Sequence, residues 1–341
     1  MTTQAAHTRA REVGAFHTST SKRRYWIIFG CLLLAAVAFT WGLLSYENPM
    51  DPSTRGYWLI AQRRAMSVLV MALVALCQAM ATVAFHTVTG NRIITPSIMG
   101  FEALYVAIHT TTVYFFGAVG LANARTLEIF ILQLVLMVGF SMLLYSWLLT
   151  GRNNMHAMLL IGVVIGGGLG SLSTFMQRML SPSEFDVLTA RLFGSVNNAD
   201  PEYFPVAIPL ALGAALLLYI HSRTLNVVSL GRETAVNLGV NHRAHSIYVL
   251  VLVAVLMAIS TALVGPMTFL GFLVATLAYQ FADTYDHRYI FPMAVLIGFV
   301  VLSGSYFIMN HIFYAQGIVS IIIELVGGIV FLAVILRKGT L

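Results

Sequence analysis

Ala65-Met66-Ser67-Val68-Leu69-Val70-Met71-Ala72-Leu73-Val74-Ala75-Leu76-Cys77-Gln78-Ala79-Met80-Ala81-Thr82-Val83-Ala84-Phe85 contains no charged side chain. As a helix this stretch rises about 30 Å, the thickness of a bilayer's hydrocarbon core. Working outward, similar runs recur near residues 25–44, 93–116, 126–149, 156–176, 205–221, 245–264, 267–282, 289–309 and 317–336. The run at 267–282 is short and follows Gly265-Pro266, so it is not expected to cross in full. The expected fold is all-α, a polytopic membrane protein with about ten transmembrane helices.

Composition agrees. Of 341 residues, 59% are hydrophobic and 9% charged, against roughly 25% charged in a soluble domain. A water-facing surface for two soluble domains cannot be built from so few charges. Disorder is excluded on the same ground. The net charge of +6 is not arranged as a basic stripe with interleaved aromatics, so no nucleic-acid partner is expected. In a membrane protein, Lys and Arg gather on cytoplasmic loops. Alternating the crossings from an inside N-terminus places 13 of the 19 Lys and Arg residues inside, and puts both termini in the cytoplasm. Residues 1–24 then form a cytoplasmic tail and residues 25–341 the transmembrane domain. The first run, after Lys22-Arg23-Arg24, is too long for a signal h-region and reads as a retained helix. Two connections are long, an outer one near 177–204 and an inner one near 222–244.

Chemistry is sparse. There is no G-x-x-x-x-G-K-[ST] phosphate loop, no H-E-x-x-H, no C-x-x-C and no G-x-S-x-G. Cys31 and Cys77 both lie within apolar runs. No catalytic residue, no resident metal and no cofactor is expected in this chain.

The inner connection carries Leu230-Gly231-Arg232-Glu233-Thr234-Ala235-Val236-Asn237-Leu238-Gly239-Val240-Asn241. Ser229 is placed to cap a short helix, with Glu233 in its first turn and Gly239 as its stop. Ala235 and Leu238, three apart, are expected on one face. Asn241 is expected to cap the next helical piece. Such a helix either docks in a groove of a cytoplasmic partner or packs as an ordinary surface helix on its own bundle.

This segment resembles the coupling-helix region, here about 226–243, of FecCD-type permeases, the membrane subunits of ABC importers for iron–siderophore, haem and cobalamin. Thr89-Gly90-Asn91-Arg92-Ile93-Ile94-Thr95-Pro96-Ser97-Ile98-Met99-Gly100-Phe101-Glu102-Ala103-Leu104-Tyr105 is similar to the N-R-I-L-T-P-S-I-M-G-F-D-x-L-Y block of the ferric-siderophore branch. Gly265-Pro266-Met267-Thr268-Phe269-Leu270-Gly271-Phe272 resembles the family's G-P-x-x-F-x-G element. Asp286-His287-Arg288 resembles D-H-R/K, and Gly317 through Gly328 the last-helix pattern. The chain departs from many relatives where it has Arg63-Arg64 without a proline, Gly90-Asn91-Arg92 for Arg-Asn-Pro, and Val274-Ala275-Thr276 for Val-Pro-His. These departures agree with the ferric-siderophore branch.

The resemblance implies that Gly231, Arg232, Glu233, Ala235, Leu238 and Gly239 couple the chain to two ABC ATPase subunits, which bind the ATP and Mg. It implies a second permease chain (identical or paralogous) and a periplasmic or lipid-anchored siderophore-binding protein, with Arg63 and Arg64 as the docking arginines. The alternative for that pair is interfacial snorkelling. It implies a ferric siderophore as cargo and the bacterial plasma (inner) membrane as location. Glu324 and Glu102 are charges inside apolar runs, where each costs a few kcal/mol, roughly 2.5–3.5 for Asp at a helix centre. They are read as pathway or subunit-interface groups, against the alternative of structural carboxyls. Gly265-Pro266 reads as a gate or a plain turn. Gly162, Gly166 and Gly170 form a small-residue stripe best read as tight intrachain packing. Competing readings are an ion-gradient-driven secondary transporter using Glu102 and Glu324, a haem or cobalamin importer of the same fold, and a membrane scaffold without transport.

Overall fold

The computed structural model describes residues 14–123, 125–150, 155–313 and 319–338. Among these residues the regular structure is helical throughout. The helices are α1 (Ser19–Ser45), α2 (Arg55–Thr89), α3 (Phe101–Asn123), α4 (Leu127–Thr150), α5 (Met155–Gln177), α6 (Pro182–Leu192), α7 (Phe204–Ile220), α8 (Ser222–Val228), α9 (Arg232–Asn237), α10 (His242–Val264), α11 (Leu270–Ala282), α12 (His287–His311) and α13 (Val319–Lys338). Short 3-10 turns occupy Pro96–Met99, Val196–Asn198 and Pro201–Tyr203. Among the described residues, seven helical stretches are long and apolar enough to cross a membrane, and Leu127–Leu143, Leu270–Ala282 and Ser320–Ala333 are shorter apolar helices.

Helices α2 and α10 form the centre. They pack on each other, and around them lie α12, α4, α7 and α11. In the apolar window of α2 and of α10, 78% of residues are buried, against 11% in α1 and in α5. Lipid is as apolar as leucine, so helices here associate through close packing of small residues rather than by fleeing water. The α2–α12 seam shows this: a Cβ on Gly298 would sit 3.3 Å from the Ala75 methyl.

Three boundaries differ from the sequence expectation. Helix α2 begins at Arg55 rather than near 65, capped by Thr54, whose Oγ1 accepts from the Tyr57 N–H. At 35 residues it is about 50 Å long and outreaches the hydrocarbon core. The third helix begins at Phe101, not at 93. Proline biases the residue before it away from helix, and Thr95 is extended at ψ 157°; Gly100 then turns the chain at φ 97°. The small-residue stripe of α5 receives this interrupted backbone: a Cβ on Gly162 or Gly166 would lie 3.4 or 3.2 Å from the Cα of Met99 or Gly100. Gly170 has open space around it, so the packing role falls to the first two.

The third difference is at the N-terminus. Helix α1 starts at Ser19, capped by Thr18, so residues 19–24 of the expected tail are helical. Phe16 is buried against the rings of Tyr25 and Tyr289. Residues 1–13 of that tail lie outside the described residues.

Candidate functional site

The connection between α7 and α10, expected on the inner side, folds as two short helices, α8 and α9, joined by Ser229–Gly231. Gly231 stands at φ 92°, ψ 165° and Gly239 at φ 83°, conformations that side-chain-bearing residues avoid. After α9, Gly239 N–H donates to Val236 O and Val240 N–H to Ala235 O, both at 2.9 Å. This paired closure ends a helix on a left-handed glycine, as Gly239 leads one to expect. Asn241 caps α10 through the Ala244 N–H at 3.1 Å, also as expected.

Two expectations for this element are corrected. Ser229 does not cap α9; it closes α8, its hydroxyl donating to Asn226 O at 2.7 Å. Nor do Ala235 and Leu238 share a face. Ala235 is fully buried against the bundle, whereas Leu238 is 60% exposed. Leu238 still continues the helical turn, its N–H donating to Thr234 O at 3.0 Å, but as the C-cap it lies past the surface that covers Ala235. The outward apolar side chains are instead Leu230, Val236 and Leu238.

The element is tied down by residues that sequence reasoning did not single out. Asn226, on α8, donates from Nδ2 to Asp286 Oδ1 at 3.0 Å, and its Oδ1 accepts the His287 N–H at 3.0 Å. His287 Nδ1 also meets Asn226 Oδ1, while its Nε2 lies 2.7 Å from Thr87 Oγ1 on α2. Arg288 grips Asp286 through Nε at 2.9 Å and Nη2 at 2.6 Å. One buried knot therefore joins α8, the foot of α2 and the start of α12. The Asp286-His287-Arg288 motif was visible in the sequence. Its partners Asn226 and Thr87, 60 and 200 residues away, carried no local signal.

Burial pushes the Asp286 carboxyl up, but hydrogen bonds from Arg288 and Asn226 outweigh it and hold the carboxyl below its ordinary value. A carboxylate depressed in the folded state adds stability above its unfolded pKa, about 3.9, and loses it as pH falls through the folded value. Thermal unfolding of the purified protein is therefore expected to show this group's full, pH-independent contribution between pH 7 and 5 and an acid-side loss below about pH 4. Asp286→Asn should flatten that loss; an unchanged acid limb would show that Asp286 is not its source.

The inferred outer end of α10 is the second feature. Gly265, at φ 90°, breaks the helix and is met by the 193–198 loop. Ser195 N–H donates to Val264 O at 2.8 Å, and a Cβ on Gly194 would fall 2.3 Å from Pro266 O. Thr268, just past the break, donates to Glu102 Oε2 at 2.6 Å. Glu102 stands in the first turn of α3, where the helix dipole favours a carboxylate. Its other oxygen is buried without a partner. Glu324 stands on α13 one turn after Ser320, whose Cβ lies beside Gly194. The structure thus brings Glu102, Glu324, Gly265 and Pro266 into one region, where two interrupted backbone segments meet. Irregular backbone at membrane depth survives only inside protein or along a wet cavity. Gly194 belongs to this region and was missed, because nothing in Phe193-Gly194-Ser195 announces what it touches.

The paired arginines separate. Arg64 donates through its guanidinium to the carbonyls of Leu43, Tyr46 and Glu47 at 3.2, 2.7 and 3.3 Å, closing the end of α1. Arg63 is exposed, and both arginines line a 420 Å³ cavity together with Glu47, Asn197, Tyr306 and His311.

The chain is 52% identical over 336 residues to the petrobactin import system permease protein FatC of Bacillus anthracis, covering 98% of this chain and 95% of the relative. It is 37% identical to the petrobactin import system permease protein YclO of Bacillus subtilis (strain 168), covering 81% and 88%. The fold matches a solved structure of an ABC transporter assigned to the metal-chelate type in an inward-facing conformation. That match has a TM-score of 0.77 at 20% identity, covering 92% of this chain and 99% of the other. Residues 24–337 match the model of the FecCD transport family. With the helix order, the interrupted segments and the two-helix inner connection in place, this chain belongs to the FecCD transport family of ABC transporter permeases.

Proposed function

We propose that this chain is the membrane-spanning subunit of an ABC importer that carries a ferric siderophore into the cytoplasm, driven by ATP hydrolysis in separate ATPase subunits. The observation that carries the reading is the 52% identity to a petrobactin import permease along nearly the whole of both chains. Seven full-length apolar helices and three shorter ones support ten membrane-inserted segments. With the Lys and Arg bias, they support both termini on the cytoplasmic side of a bacterial plasma (inner) membrane.

In this reading no bond is made or broken in the chain. Residues 25–341 form the permease domain. Gly231, Arg232, Glu233, Ala235, Leu238 and Gly239 build the rod that the ATPases push. Ala235 anchors it inward, the glycines shape its ends, and Leu238 faces the partner. The Asn226–Asp286 knot carries the displacement to α2 and α12. At the other end, the region of Glu102, Glu324, Gly265 and Pro266 responds as part of the pathway and its gate. The exposed flank of α5, with Gly167, Gly168 and Gly170 open, suits close approach of a second permease chain. The cargo biases the cycle only through its different affinities for outward and inward states.

The test is uptake of radiolabelled ferric petrobactin in a strain lacking this chain. Restoration by the chain, dependent on an intact ATPase, is expected. Restoration of haem uptake alone, or uptake driven by an ion gradient without the ATPase, would overturn the reading. Arg63 is assigned to the binding protein, delivered at the outer face, where arginine pairs with carboxylates. Arg63→Glu is expected to weaken binding-protein capture about tenfold while the complex still assembles. Unchanged capture would remove Arg63 from the docking face.

A further inference from the structure

Two hollows meet at the foot of α10. One, of 240 Å³, lies between the last turn of α2, the α8–α9 turn and the first turn of α10. The other, of 370 Å³, lies against Val236 and Gly239. Arg232, His242 and Arg243 line both. Among the described residues, no aspartate or glutamate lines either. Arg232 and Arg243 are exposed, and the 23-residue α10 adds the positive end of its dipole at the same place. The result is a cleft with positive walls.

We propose that this cleft receives an acidic side chain, an aspartate or glutamate, presented by the ATPase subunit. The proposal rests on the ATP-driven reading above and adds the chemistry of the contact. Three observations select this occupant. The residues lining both hollows include two arginines and no acid, and the exposed Arg243 guanidinium suits a carboxylate in fork geometry. The cleft is continuous with the coupling rod, since Arg232 opens α9 and Val236 borders the larger hollow. Finally, α2 and α10 are the most buried helices of the bundle, so their feet lie at its centre, away from the lipid-facing rim where a phospholipid headgroup would arrive. A carboxylate held between α9 and the start of α10 would pull both at once, so the stroke would reach the bundle directly as well as through the Asn226–Asp286 knot.

The test uses the assembled transporter in nanodiscs and measures ATPase association by titration at several salt concentrations. Arg243→Glu is expected to weaken association about tenfold at low salt and to reduce its salt dependence. Arg243→Lys should keep most of the affinity. A basic substitution at the ATPase acid that cross-links to Arg243→Cys should restore binding to Arg243→Glu. Equal affinity of wild type and Arg243→Glu would overturn the proposal. So would binding of inorganic phosphate, or of phosphatidylglycerol, to the permease alone that is lost in Arg243→Glu while ATPase association is unchanged. Leu238→Asp separates the two readings: if it weakens association and Arg243→Glu does not, the coupling rod stands and the acidic contact falls. If neither weakens it, the coupling assignment fails as well.

Discussion

Asn226→Asp is expected to leave ATP hydrolysis running while uptake falls by roughly tenfold or more. The substitution keeps the shape of the side chain and the oxygen that accepts the His287 N–H. It replaces the Nδ2 donor, 3.0 Å from Asp286 Oδ1, with a second carboxylate oxygen. Asp286 is buried, its side chain 3% exposed, and Arg288, which it already holds, is 43% exposed and partly screened by water. Two carboxylates then face each other, and the half-solvated Arg288 is bonded to only one of them. An unmade buried hydrogen bond costs about 1–3 kcal/mol, and the like-charge contact adds to it. We expect a total near 2–4 kcal/mol, seen as a lower unfolding temperature and as slippage between ATP turnover and transport. Protonating the new carboxyl restores a donor toward Asp286, so the defect should shrink as pH falls. Asn226→Ala, which adds no charge, should show a smaller defect without that pH dependence. Normal uptake per ATP in Asn226→Asp would show that the knot is only a structural tie.

The second large effect is expected from one methyl group. In Gly194→Ala the new Cβ would lie 2.3 Å from the Pro266 carbonyl oxygen, 3.2 Å from Ser320 Cβ and 3.3 Å from Met267 Cγ. The first contact is with backbone, which has no rotamer to change, so the 193–198 loop must lift from the α10–α11 break. That movement strains the Ser195-to-Val264 hydrogen bond and separates the loop from α13. Overpacking of this kind costs about 1–3 kcal/mol, and uptake is expected to fall more than stability if the α10–α11 break is the gate we propose. Gly139→Ala, where the added Cβ meets nothing within 4 Å, is the control and should be near neutral. Equal melting temperatures and equal uptake for the two variants would contradict the close approach.

The legible and illegible parts of this chain divide along a physical line. The apolar runs were legible because a bilayer demands length and hydrophobicity of each segment separately, whatever its neighbours do. For the same reason the short α11 was legible from Gly265-Pro266. The starts of α2 and α3 were less so. Arg55–Arg64 is polar enough to be taken for a loop but is held helical by its Thr54 cap. The stretch after Arg92 is apolar enough to be taken for a helix but is stopped by Pro96 and Gly100.

The inner rod was visible from Gly231, Glu233 and Gly239, whose roles are local. Which of its apolar residues turn outward was not, since that depends on the surface against which Ala235 lies. Span length and turn chemistry act within a few residues, so the chain's order of residues was enough to mark a bundle of membrane-length helices with a short helix in one long connection; that this connection is of permease type came from its resemblance to the FecCD family. Folding alone brings Asn226 to Asp286, Gly194 to Pro266, Arg64 to the end of α1 while Arg63 stays exposed, and Glu102 to Thr268. Each of these contacts joins residues far apart in the chain, and in lipid such contacts are chosen by close packing and buried hydrogen bonds, which leave no periodic mark on the sequence.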